Sequence, residues 1–175
     1  MNDTKYAERG VYKVLIKAPI ETVWSELVNT TSPRPFFWDS GWDAKEMAAG
    51  NAYRMVSANG KTVAVVGEIL EIEPPYRLVT SFRLTSFDDP PSRVTYTLKE
   101  TADGTEFMLM TDKVVAESKS EKSMADGSKF IVENFKAFIE TGKVTMGARL
   151  MLSMFRLMAP LTPKSMRAEK WPLDR

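Results

Sequence analysis

The feature that most limits how this chain can fold is a change of hydrophobic period near residue 120. Before it, apolar residues recur at every second position in a series of short stretches. After it, they recur every three to four positions across one long stretch, 122–141. There Met124, Ile131, Phe135 and Phe138 share one face, Lys129, Glu133, Lys136 and Glu140 lie opposite, and Gly142 stands where a C-cap belongs. In the first stretch, 11–18, Tyr12, Val14 and Ile16 alternate with Lys13, Leu15 and Lys17, which is a strand with one buried face. Further strands are expected at 43–48, 52–57, 62–73, 76–84, 92–100 and 104–114. Asn59-Gly60 and Asp103-Gly104 supply hairpin signals, because Asn, Asp and Gly tolerate positive φ.

Between the first two strands, Pro19 and Glu21 open a short helix carrying Val23, Trp24 and Leu27, ending near residue 29. Residues 30–42 hold Phe36, Phe37, Trp38 and Trp42 among Pro33, Pro35 and Gly41, which reads as a second short helix or a loop plugged into a core. Pro74-Pro75 cannot donate to a ladder and must end a strand, and Gly67 inside an apolar strand marks a bulge or bend. The order is strand, short helices, antiparallel strands, one long helix. It allows an α+β fold with the sheet curved over that helix, without by itself choosing the topology.

The chain has 175 residues, enough for one domain plus an extension, and a net charge of only +1 that points to no particular partner. It has no cysteine and no histidine. Disulfides, thiolate nucleophiles, zinc frameworks and the commonest general base near neutral pH are therefore missing. Carboxylates, Lys, Arg, Tyr, Ser and Thr are left for any chemistry. No nucleophile elbow, phosphate loop, metal cluster or dinucleotide fingerprint is present, so the sequence implies no cofactor, no metal and no nucleic acid. The first ten residues have no apolar signal region and no stretch of about 20 apolar residues occurs, so the expectation is a cytoplasmic chain with no transmembrane segment.

Several motifs in this order resemble the activator-of-Hsp90-ATPase-homologue branch of the START-like (SRPBCC) superfamily. They are Ile16-Lys-Ala-Pro-Ile-Glu-Thr-Val-Trp24, Gly67-Glu-Ile-Leu-Glu-Ile-Glu-Pro-Pro-Tyr-Arg-Leu78, Pro91-Ser-Arg-Val-Thr-Tyr-Thr-Leu98, Asp103-Gly-Thr105 and Ile139-Glu-Thr-Gly142. The resemblance spans roughly residues 8–142. It implies a helix-grip (START/Bet v 1-like) domain over 1–142, with an apolar cavity between sheet and long helix. The chain departs from the family where Thr111-Asp112 replaces a Thr-His, and where Asp126-Gly-Ser-Lys-Phe130 stands near a usual Gly-Trp.

Mapped onto that cavity, the candidate ligand-binding residues are Trp38, Trp42, Tyr53, Met55, Phe82, Tyr96, Phe107, Phe130, Asn134 and Phe138. For each aromatic the alternative is plain core packing. Asn134 projects from an apolar helix face, where an unpaired amide would cost about 1–3 kcal/mol. It is either a polar anchor for a ligand or an amide bonded to backbone within the core. Asp39, Asp43 and Glu68 are carboxylates near this region that could serve as a base if buried, and surface acids otherwise.

Beyond Gly142 lies a tail, 143–175, with seven basic residues against two acidic ones. Its net charge is +5, which leaves residues 1–142 at −4. A helix at about 144–159, rich in Met and Leu and closed by Pro160, is apolar over most of its circumference, so something must cover it. Its own domain, where it would lid the cavity, a partner in a homodimer, a membrane surface and a client peptide are the options. Three functions follow from the resemblance: a binding protein for a small apolar or aromatic molecule, a chaperone-associated interaction module, and a polyketide cyclase/aromatase-like enzyme, for which the lack of histidine is unfavourable.

Overall fold

The computed structural model describes residues 4–173; residues 1–3 and 174–175, which hold part of the N-terminal segment and the last two charges of the tail, lie outside the described residues. The elements are β1 (Gly10–Ile16), α1 (Ile20–Leu27), β2 (Ser40–Ala44), β3 (Ala52–Ser57), β4 (Val63–Glu73), β5 (Arg77–Leu84), β6 (Ser92–Thr101), β7 (Gly104–Asp112), α2 (Lys119–Thr141) and α3 (Met146–Met158). The strands form one antiparallel sheet in the order β1-β7-β6-β5-β4-β3-β2. β2 to β7 are thus a meander of hairpins, and β1 closes the far edge beside β7. α2 crosses the concave face against β1, β7 and the short 3-10 turn Pro35–Phe37. This is the α+β helix-grip architecture.

Local chemistry explains the boundaries. α2 begins three residues earlier than its apolar period because Ser118 caps it, its hydroxyl accepting from the Glu121 amide at 3.0 Å. It ends where Gly142 adopts φ 74 and returns its N–H to the Phe138 carbonyl at 2.8 Å. The second strand runs over Ser40–Ala44 rather than 43–48, because Trp38 and Asp39 both take left-handed backbone (φ 59 and 55) and turn the chain back early. Asp tolerates that conformation, but nothing in Trp38 signals it, and it costs roughly 1–2 kcal/mol for such a residue.

Two glycine readings need correction. At the first hairpin only Gly60 has positive φ, and the Asn59 side chain instead accepts from the Lys61 amide at 2.9 Å. Gly67 is not a bulge: the ladder slips between Met55 and Val56 and between Ile69 and Glu71. Gly67 is a close approach, where any Cβ would overlap the Ser81 carbonyl oxygen and crowd the Tyr53 ring. The missing side chain lets the Tyr53 hydroxyl cross the strand and donate to that oxygen at 2.9 Å.

The core divides α2 in two. Its second half packs solidly: Phe135 meets Phe36 at 4.7 Å and Phe107 at 4.8 Å between ring centroids, and Phe138 meets Phe36 at 5.3 Å. Its first half does not fill the space beneath it.

Candidate ligand-binding cavity

That space is a cavity of about 440 Å³, within the range of roughly 300–1,000 Å³ usual for small-molecule sites. Its floor is the sheet, contributed by Trp42, Tyr53, Met55, Val65, Phe82, Val94, Tyr96 and Leu109. Its roof is the first half of α2, from Ser123 to Ile131, and its sides are Phe37, Trp38 and, from the tail, Met166. The lining exists because the strand positions that face it are apolar apart from Ser40, while α2 presents the small Ser123, Gly127 and Ser128 there beside Met124, Asp126 and Ile131. A Cβ placed on Gly127 would meet nothing within 4 Å.

Six of the ten expected residues therefore line one cavity: Trp38, Trp42, Tyr53, Met55, Phe82 and Tyr96. Four lie outside its lining. Phe107 and Phe138 belong to the aromatic core around Phe36 and Phe135. Phe130 stacks behind Trp38 at 3.9 Å and 22°, holding the wall rather than forming it. Asn134 is buried and spent on the fold: its amide donates to the Phe130 carbonyl at 2.9 Å, and its oxygen accepts from the Thr145 amide and hydroxyl, each at 3.0 Å. It thereby fixes the N-cap of α3. The lining also holds residues outside those ten, among them Phe37, Val65, Val94 and Leu109 of the core, the small Ser123, Gly127 and Ser128 of α2, and Met166 of the tail. A signal did exist, since Ser123, Gly127 and Ile131 repeat at a spacing of four on one helical face.

The polar groups of the floor are mostly committed. The Trp42 indole N–H donates to the Leu27 carbonyl at 2.9 Å, at the C-terminus of α1. The Tyr53 hydroxyl is held by Ser81 and, at 3.4 Å, by Thr80. Tyr96 differs: among the described residues its hydroxyl has no hydrogen-bond partner, although it lines the cavity and is 2% exposed. Burial pushes both phenols well above their ordinary pKa, for Tyr96 with a contribution from nearby Tyr53, so both stay neutral at physiological pH.

Of the carboxylates, Asp39 pairs with Arg156 of α3 at 2.6 Å and Asp43 with Arg54 at 2.7 Å, while Glu68 is exposed on β4. Asp126 is the one acid in the lining and is itself exposed. No group of three or more acidic side chains is placed to hold a metal among the described residues. Nor is any helix there long and apolar enough to cross a membrane.

The tail returns over the open end of the sheet. Thr62 and Arg167 form a bridge, the Ala168 amide donates to the Lys61 carbonyl at 2.9 Å, and Arg54 donates to the Trp171 carbonyl at 2.7 Å. The Arg83 guanidinium lies 5.6 Å from the centre of the Trp171 ring. These contacts set Met166 into the cavity wall.

A curved antiparallel sheet gripping one long helix, with an apolar cavity between them, defines the helix-grip class. Residues 17–140 match the family described as Activator of Hsp90 ATPase homolog 1-like protein, and the chain belongs to that family. Solved structures agree on the fold. CalU16 from Micromonospora echinospora is 22% identical with a TM-score of 0.62, over 86% of this chain and 84% of that one. PFC0360w, described as an HSP90 activator from Plasmodium falciparum, is 14% identical with a TM-score of 0.61, over 76% and 96%. An AHSA1-like protein from Aeromonas hydrophila is 18% identical with a TM-score of 0.58, over 77% and 94%. A search of curated proteins returned no match.

Proposed function

We propose that this protein binds a small apolar or aromatic molecule carrying one hydrogen-bonding group, enclosed between the sheet and the first half of α2. The observation that carries the reading is the Tyr96 hydroxyl, neutral and unpartnered among the described residues, in a lining made mainly of aromatic and aliphatic side chains, with Ser40, Ser123, Ser128 and Asp126 among its other polar members. Apolar burial supplies affinity of about 25 cal/mol per Å² removed from water. The phenol supplies orientation, because a donor buried without a partner is costly and a ligand hydroxyl or carbonyl satisfies it. An apolar ligand would also explain why α2 carries Gly127 and two serines over the space where a closed core would place Leu or Phe.

No catalytic role is assigned. Both cavity phenols are held neutral, and the acid in the lining is exposed. Native mass spectrometry of protein purified from cells, before and after organic extraction, tests the reading. A co-purifying mass lost on extraction is expected. Repeated isolation from cells as bare protein, with no uptake of added aromatic compounds, would count against it.

A further inference from the structure

We infer that α3 and the turn after it form a docking surface for an anionic lipid bilayer, a role that goes beyond the ligand reading and does not rest on it. α3 is apolar on two opposite faces. One packs on the body through Ala148 and Leu152, with the Phe155 ring 5.9 Å from Trp38. The other meets solvent: Met146 is 77% exposed, Leu150 67% and Leu157 82%. At about 100° per residue these three fall within one narrow arc, and Leu161 just beyond the helix is 77% exposed as well. A ridge of that kind marks an interaction site.

Charge selects the occupant. From Lys143 to Ala168 the sequence has five basic residues and no acidic one. Arg156 is paired with Asp39 and Arg167 with Glu169, but Lys143, Arg149 and Lys164 are exposed and have no ion-pair partner among the described residues. With the tail at +5 and the rest of the chain at −4, an anionic surface would turn the tail towards itself. A second copy fits badly, because a two-fold contact through this ridge would bring together two copies of the 143–168 segment, each with five basic residues and no acidic one of its own. A helix of 13 residues cannot span a bilayer, but it can lie at its surface with the apolar ridge down and cations at the headgroups. Each cation near an anionic leaflet adds favourable attraction that salt screens. Because α3 backs Trp38 and the tail contributes Met166, docking there would place the lipid phase beside the cavity wall.

The test is sedimentation of the full chain with vesicles of phosphatidylcholine, with and without phosphatidylglycerol. Wild type should pellet with the anionic vesicles only, and less so in raised salt. The double variants Leu150→Glu/Leu157→Glu and Lys143→Glu/Arg149→Glu, all at exposed positions, should each lose about tenfold or more in partitioning. Their melting curves should match wild type, which separates lost docking from lost folding. Wild type that stays in the supernatant would overturn the inference, as would binding indifferent to lipid charge and to the second variant. Light scattering that shows a dimer which Leu150→Glu/Leu157→Glu dissolves would overturn it too, in favour of a second copy.

Discussion

Gly127 is the position where stability and access to the cavity oppose one another. It is the ninth residue of α2, deep in a 23-residue helix, where glycine costs about 1 kcal/mol relative to alanine through backbone entropy. Ordinarily such a glycine is kept because a side chain would clash. Here a Cβ would meet nothing within 4 Å, and the residue lines the cavity. Gly127→Ala should therefore stabilise the fold by about 1 kcal/mol, raising Tm by roughly 2–4 °C for a chain of this size. Calorimetry or thermal circular dichroism reads that shift. Gly127→Trp should place an indole in the opening and abolish uptake of an aromatic ligand while the protein stays folded. A lower Tm for Gly127→Ala would mean that the site is packed, and the reasoning that places an open cavity under this half of α2 would fail.

The other expectations follow from neighbouring contacts. Gly67→Ala should destabilise by about 3 kcal/mol, seen in urea unfolding, because the new methyl overlaps the Ser81 carbonyl and displaces Tyr53; a neutral result would contradict the close approach. Asn134→Ala should cost about 1–3 kcal/mol by stripping the Thr145 amide and hydroxyl of their acceptor, and should expose the chain after Lys143 to trypsin. Unchanged proteolysis would show that α3 is held by something else. The Glu140 carboxyl is kept below its usual pKa first by hydrogen bonding from Lys136, then from the Lys17 amide. A lowered folded-state pKa means the stabilisation is present above the unfolded-state value and lost as pH falls through the folded one. The stability gap between wild type and Glu140→Gln should thus be greatest near neutrality, below about 1 kcal/mol for so exposed a pair, and should close in acid. A gap that widened on acidification would reverse that sign.

How far the sequence discloses all this depends on which physical signal it carries. Alternation in β1, β6 and β7 and the helical period of α2 are burial patterns, and the sheet and helix follow from them. Burial against a neighbour and burial against a void look the same in a sequence, however. Tyr96 and Phe107 both read as inward-facing aromatics, yet one lines the cavity and the other joins the packed core. Asn134 reads equally well as a ligand anchor, and only the position of Thr145 shows it bonded within the fold. α3 is legible as a helix, but with both faces apolar its pattern cannot say which one the domain covers. The early start of β2 depends on left-handed backbone at Trp38 and Asp39; Asp tolerates it, but a tryptophan gives no warning of it.

The central claim is that an apolar molecule with one polar group occupies the space between the sheet and α2. The chain has four tryptophans, of which Trp38 and Trp42 line that space while Trp24 is buried at α1. Titrating 2-naphthol while recording the indole N–H resonances puts the claim to its most direct test. Saturable shifts at Trp38 and Trp42 with Trp24 unmoved, and weaker binding in Tyr96→Phe, are the predicted result. Indole signals that stay fixed through the titration, or that move together without saturating, would contradict it.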